Sequence, residues 1–382
     1  MRSLRLNLFP TPYSLIPAAA ILFLAATAIA QQSAGSNNGG PWEMQHSGTT
    51  ANLRGIHAVG GGVAWASGAN GTVLRTEDSG YMWQSCAMPP GAEKLDFRGI
   101  WAWDADTAIV MSSGPGDQSR LYKTTDGCSH WKLLYTNPDK DGFWDAMVFQ
   151  SRRRGYLLGD PVRGSFAFFT TEDEGKSWKR SEAAGLAPGQ EAKGAFAASN
   201  SSLLGVMQEP VAFGTGGSLF YMQSFEGAIS FRAQPGTPIK MTEQWTRVQV
   251  PLATNGDSSG IFSLGWHEGK VKGHGYTLVA VGGDYKKPDD PTGTAAWTSD
   301  GGGTWTAATK PPHGYRSAVA FDAGDKAWIA VGTNGTDVSY DDGKTWSPLD
   351  SGNWNAIGLP WVVGPGGRIA KLVSLEAATR LH

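Results

Sequence analysis

One eight-residue pattern, Ser/Thr-x-Asp-x-Gly-x-x-Trp, recurs along the chain and narrows the fold more than any other feature. It reads Thr76-x-Asp78-x-Gly80-x-x-Trp83, Thr171-x-Asp173-x-Gly175-x-x-Trp178, Thr298-x-Asp300-x-Gly302-x-x-Trp305 and Ser339-x-Asp341-x-Gly343-x-x-Trp346. A further copy, Thr124-x-Asp126-x-Cys128-x-x-Trp131, carries cysteine where the others carry glycine. A hydroxyl and a carboxylate two residues apart bond the backbone N–H groups of a tight turn. Glycine supplies the positive φ that such a turn needs. The tryptophan then opens the returning strand and covers the turn. These carboxylates are expected to be structural, because local bonding uses their acceptors.

Strand-like segments precede each copy. Before the first lie Leu53–Val59, Gly62–Gly68 and Thr72–Thr76. Later units open at Phe97–Trp103, Phe143–Phe149, Gly260–Leu264, Tyr315–Phe321 and Trp354–Leu359, with no helical period between them. Four short strands in roughly 40–45 residues describe a β-propeller blade. Trp83, Trp131, Trp178, Trp245, Trp305 and Trp346 mark the fourth strands of six blades. Trp245 stands in for a lost motif, of which Ser224-x-Glu226-x-Ala228-x-x-Phe231 is the decayed trace, with an insertion in the outer hairpin. The stretch Trp354–Val373 has room for three strands, and Pro41–Gln45 supplies the missing fourth. The expected fold is therefore an all-β, seven-bladed propeller of four-stranded antiparallel blades, closed by pairing of the N-terminal strand with the last blade. Closure of this kind leaves no open edge between the two.

The ends read differently. Residues 1–30 have the form of a secretory signal peptide: Arg2 and Arg5, an apolar stretch from Ile16 to Ile29, then Ala28-Ile29-Ala30 as a cleavage site. The competing reading is an uncleaved membrane anchor, although the apolar run is shorter than a bilayer span. Residues 31–40 form a flexible lead-in, 41–373 the propeller and 374–382 a C-terminal tail. Removal of the leader leaves 30 basic against 34 acidic residues, a net charge of −4. That balance argues against a nucleic-acid partner. An exported protein, periplasmic or extracellular, is expected, with no membrane span after cleavage. In that setting Cys86 and Cys128 are placed to form a disulfide between adjacent blades. No Cys/His spacing suggests a metal, and no cofactor motif is present; the glycine runs at 60–62 and 301–303 are turns, not phosphate loops.

The recurrent motif resembles the Asp-box, or bacterial neuraminidase repeat. The whole unit, an aromatic-Arg-Gly-Ile opening followed by a glycine-rich strand and the box, resembles the photosystem II stability/assembly factor-like propellers. These belong to the WD40/YVTN/BNR-like repeat superfamily. The resemblance covers residues 41–373 and implies a scaffold that binds protein, without implying photosynthesis. It is specific for architecture and weak for activity.

Alternation of strand direction places the box hairpins on one face. The starts of the first strands and the turns between second and third strands lie on the other, around the channel mouth. The first-strand starts bring Arg54, Arg98, Trp144, Arg316 and Trp354 into corresponding positions. The turns add Asp160, Arg163, Asp284, Tyr285 and Asn334. Arginine grips carboxylates in a forked pair of hydrogen bonds, and tryptophan offers a stacking face. Such a ring suits a protein segment or a small acidic or saccharide ligand; alternatively, its arginines pair with neighbouring aspartates and only order the channel. No catalytic set is evident, and oligomeric state is open. The rival function is a sialidase-like glycoside hydrolase with three arginines, a tyrosine nucleophile such as Tyr315 or Tyr285, and an acid. Against it, the Arg-Ile-Pro segment typical of that class is replaced by Leu53-Arg54-Gly55-Ile56.

Overall fold

The computed structural model describes residues 40–190, 194–205, 210–226, 242–269 and 276–375. The leader, most of the lead-in, the tail beyond Leu375 and the decayed motif beyond Glu226 lie outside the described residues. Seven four-stranded antiparallel sheets follow one another as the blades of a propeller. The first blade comprises Leu53–Gly60, Val63–Gly68, Val73–Thr76 and Gln84–Ser85. The fourth ends in Thr242–Gln249, which contains Trp245. The seventh is made of Ala356–Gly358, Trp361–Val363 and Ile369–Leu372, with Trp42–Gln45 as its outer strand. Trp42 pairs with Leu372 and Gln45 with Ile369, so the two ends close the ring as expected.

The box turns are built alike. In the third blade the Thr171 hydroxyl donates to Asp173 Oδ1 (2.8 Å) and accepts from the Gly175 N–H (3.0 Å). Asp173 Oδ1 accepts from the Ser177 N–H (2.9 Å) and Oδ2 from the Ser177 hydroxyl (2.6 Å). Two consecutive residues are left-handed, Glu174 at φ 66° and Gly175 at φ 82°. Cys128 holds the glycine position of its box at φ 65°. It is bonded to Cys86 across the first and second blades, with a Cα–Cα separation of 5.3 Å.

Tryptophans brace the turns and the joins between blades. Trp178, Trp305 and Trp346 each donate an indole N–H to the carbonyl of their own box glycine, at 3.0–3.2 Å. In the first blade this bond is redirected: Trp83 donates to Gln45 Oε1 (2.9 Å), and Trp361 donates to the same oxygen (3.0 Å). The two indoles pack edge to face with centroids 6.1 Å apart. Gln45, on the closing strand, thus ties the seventh blade to the first. Trp42 donates to Thr336 Oγ1 (3.3 Å) and reaches the sixth.

Candidate functional site

A cavity of about 480 Å³ opens where the first strands begin and where second strands turn into third. Its residues come from a repeated backbone device. Pairing of first and second strands skips one residue between Leu53 and Gly55, Phe97 and Gly99, Trp144 and Ala146, and Ile261 and Ser263. The skipped residues are Arg54, Arg98, Asp145 and Phe262, and all four line the cavity. A β-bulge leaves one residue unpaired and re-aims its side chain. Ser317 and Asn355, immediately before the regular first strands of the sixth and seventh blades, line it as well.

This corrects the correspondence read from sequence. In the third, sixth and seventh blades the matching residues are Asp145, Ser317 and Asn355, one position beyond Trp144, Arg316 and Trp354. A one-residue shift along a strand exchanges its faces, so the three expected mouth residues are buried. Trp144 stacks on Tyr135, with centroids 5.6 Å apart. Trp354 packs beneath the Arg368 guanidinium (4.5 Å). Arg316 is fully buried and bonds Asp337 through Nε (2.8 Å) and Nη2, while Nη1 donates to the Tyr315 carbonyl and to Asn334 Oδ1 (both 2.6 Å).

Among the turn residues, Asp160 and Tyr285 line the cavity. Asp284 is spent on its own turn, accepting from the Lys286 N–H (3.0 Å). Asn334 donates to the Pro288 carbonyl (2.8 Å) and Asp289 (2.9 Å). Arg163 is exposed and lies 3.4 Å from Asp139.

A segment between the third and fourth blades fills the channel beneath the cavity. Ala195–Ala198 line the cavity above, and Ser199–Ser201 line a second cavity of about 310 Å³ with Ile56, Ile100 and Leu264. The segment is held from several sides: Arg98 Nη1 donates to the Ala197 carbonyl (3.2 Å), and Ser199 Oγ to the Ser317 carbonyl (2.8 Å). The Asn200 amide bonds both the N–H (2.8 Å) and the carbonyl (2.9 Å) of Met147. The mouth is therefore a cup with a base rather than an open tunnel.

The cup has three chemically distinct walls. On one, Asp96 Oδ2 lies 2.8 Å from Arg98 Nε and 3.6 Å from Arg54 Nε. Burial, followed by the charge of Arg98, lowers the pKa of Arg54. On the second, Asp160 Oδ1 accepts from the Ala195 N–H (3.0 Å). Burial raises its pKa to about 6, against that hydrogen bond. Asp145 is almost completely buried, and its Oδ2 has no hydrogen-bond partner. Burial and then Asp160 push its carboxyl well above the carboxylate range, with Arg98 opposing. The third wall is aromatic: Phe196 stacks on Phe262 (3.7 Å), which meets Tyr315 edge to face (4.8 Å) and Tyr285 at 6.2 Å. Burial pushes the Tyr315 phenol upward, against the charge of Arg54.

The box carboxylates are differently placed. Asp173 and Asp300 are lowered to about 2, their local hydrogen bonds outweighing burial, and Asp126 to about 2 chiefly by the His130 side chain. No cluster of three His, Cys, Asp or Glu able to hold a metal occurs among the described residues. No helix among them is long and apolar enough to cross a membrane.

No protein-family model matches this chain, and no curated protein matches it. Solved structures do. YCF48 bound to a D1 peptide aligns at 16% identity, over 87% of this chain and 95% of that one, with a TM-score of 0.55. YCF48 from Cyanidioschyzon merolae aligns at 19% identity, over 87% and 98%, with a TM-score of 0.54. The extracellular domain of BT4673 from B. thetaiotaomicron aligns at 11% identity, over 87% of this chain and 40% of that one, at 0.55. At these identities the likeness is one of fold, that of the β-propeller.

Proposed function

We propose that the protein is an exported, non-catalytic scaffold that holds a segment of a partner protein in the cup. The observation that carries this is the cup itself: a closed base, two arginines, three carboxyls and a wall of four aromatic rings converge on one space. Aromatic and arginine side chains are the usual anchors of protein recognition. The YCF48 structure with a D1 peptide adds support, since it is a propeller of the same fold with a peptide ligand. Export, to the periplasm or beyond, rests on the signal-like leader and agrees with a disulfide between blades.

A small acidic ligand is a second reading, favoured by Arg54 and Arg98 lying on one wall. The sialidase-type reading has less support. Arg316 is committed to Asp337, so only two of its three arginines reach the cup, and the charged neighbour of Tyr315 is Arg54 rather than a glutamate. The test is the double variant Arg54→Ala/Arg98→Ala in the native compartment. Partner recovery by affinity capture should fall about tenfold or more, as for loss of charged anchors, with the melting temperature little changed. Undiminished recovery would refute the assignment, and hydrolysis of a fluorogenic sialoside would favour the rival.

A further inference from the structure

The Asp145–Asp160 wall is unusual in what it lacks. Both carboxyls line the cup, yet neither forms an ion pair among the described residues. Asp145 Oδ2 is buried without a hydrogen-bond partner, a situation that is costly unless something completes it. Arg98 is committed elsewhere: its Nε faces Asp96 (2.8 Å) and its Nη1 the Ala197 carbonyl (3.2 Å). Asp160 has one oxygen engaged by the Ala195 N–H. A bulge places Asp145 here in the same way that bulges place Arg54 and Arg98, so its position in the cup wall is part of the repeat design.

We propose that Asp145 and Asp160 form a subsite for a primary ammonium group borne on an apolar stem, such as a lysine side chain of the bound segment. The inference rests on the segment-binding reading and specifies which chemistry the segment presents. An ammonium has three donors for the vacant acceptors of the two carboxyls. Its methylenes lie against Phe143, Phe196 and Phe262, as long cationic side chains cover apolar surface. Two carboxylates alone fall short of the six or more oxygens that calcium takes.

Binding of a cation favours the ionised carboxyl. Because burial favours the protonated form of both carboxyls, and the charge of Asp160 adds to this for Asp145, ammonium binding is coupled to proton release, and affinity rises with pH. The other ionisable groups on the cup are Arg54, Arg98, Asp257, Tyr285 and Tyr315, with Asp96 behind the arginines.

The test is calorimetry on the intact protein with three probes. N-acetyl-lysine N-methylamide carries a side-chain ammonium, Ala-Ala-Ala-amide a chain-terminal one, and N-acetyl-norleucine N-methylamide none. At pH 8 at least one ammonium probe should bind about tenfold or more tightly than the norleucine control, the scale of a hydrogen bond to a charged group. The stronger of the two identifies the source. The advantage should shrink at pH 5, and binding should release protons. It should vanish in Asp145→Asn, which mimics the neutral acid and should fold; Asp160→Asn gives a second reading if it does not. Equal binding of all three probes, or an advantage that survives both variants, would overturn the proposal. Partner capture by the wild type without ammonium preference would overturn this inference and leave segment binding intact; the opposite result would do the reverse.

Discussion

Replacing Arg316 with alanine removes a guanidinium that spends itself inside the protein. Arg316 is fully buried and Asp337 nearly so, with 0% and 1% of their side chains exposed. The substitution leaves Asp337 with His313 as its remaining charged neighbour, at 3.0 Å through Nδ1. It also leaves the Tyr315 carbonyl and Asn334 Oδ1 without their donor. Breaking one partner of a buried ion pair costs about 3–5 kcal/mol. For a domain of this size, about 2 °C of melting temperature per kcal/mol gives a fall of about 6–10 °C. The loss should depend on pH. The pKa of His313 is raised, first by its hydrogen bond to Asp337, against burial and the charge of Arg316. A raised histidine stabilises fully below its unfolded pKa, and that contribution disappears as pH climbs through the folded value. Protonated His313 therefore offsets the missing guanidinium at pH 5.5 but not at pH 8.5. Thermal melts followed by circular dichroism at both pH values measure the penalty. A melting temperature within 2 °C of wild type, or a penalty no larger at pH 8.5, would refute this account of Arg316 as structural.

Other parts of the framework can be tested in the same way. Gln45→Ala strips two buried indole N–H groups, on Trp83 and Trp361, of their common acceptor. It should cost about 2–4 kcal/mol in urea unfolding, at about 1–2 for each orphaned donor. Reduction of Cys86–Cys128, which closes a 42-residue separation, should cost about 2–4 kcal/mol; unchanged melting in reductant would contradict it. Asp341→Ala removes the acceptor of the Ser339 hydroxyl and of the Thr345 N–H and hydroxyl. By analogy with a lost helix cap the cost is about 1–2 kcal/mol. Asp126, Asp173 and Asp300, held near 2 in the folded state, contribute stability that is present above pH 4 and lost as pH falls toward 2. An acid titration of the melting temperature should slope downward across that window.

The architecture was legible because its determinants are local. Thr171, Asp173, Gly175 and Trp178 make their bonds within one turn, so each copy announces its hairpin wherever it occurs. Ring closure was legible from the spare strand at Trp42 and the short last blade. The mouth was only partly legible, for two physical reasons. Whether Trp144 or Asp145 faces the cup depends on where a bulge falls. Local sequence can mark that bulge only through the small residue that follows it, as in Arg54-Gly55, Arg98-Gly99, Asp145-Ala146 and Phe262-Ser263. Aligning the blades on those small residues would have found Asp145, Phe262, Ser317 and Asn355. The base of the cup carries no such signal. Phe196 and Ala197 belong to an irregular connection whose position is set by Arg98, Met147 and Ser317, distant in the chain.

The most direct trial of segment capture uses a photo-crosslinking amino acid placed at Tyr285, on the rim of the cup, or at Tyr81, 93% exposed on the first box hairpin. Irradiation in the native compartment should yield a discrete adduct from position 285 that disappears with Arg54→Ala/Arg98→Ala, and little from position 81. An adduct formed equally from both positions, or one indifferent to the two arginines, would contradict binding at the mouth.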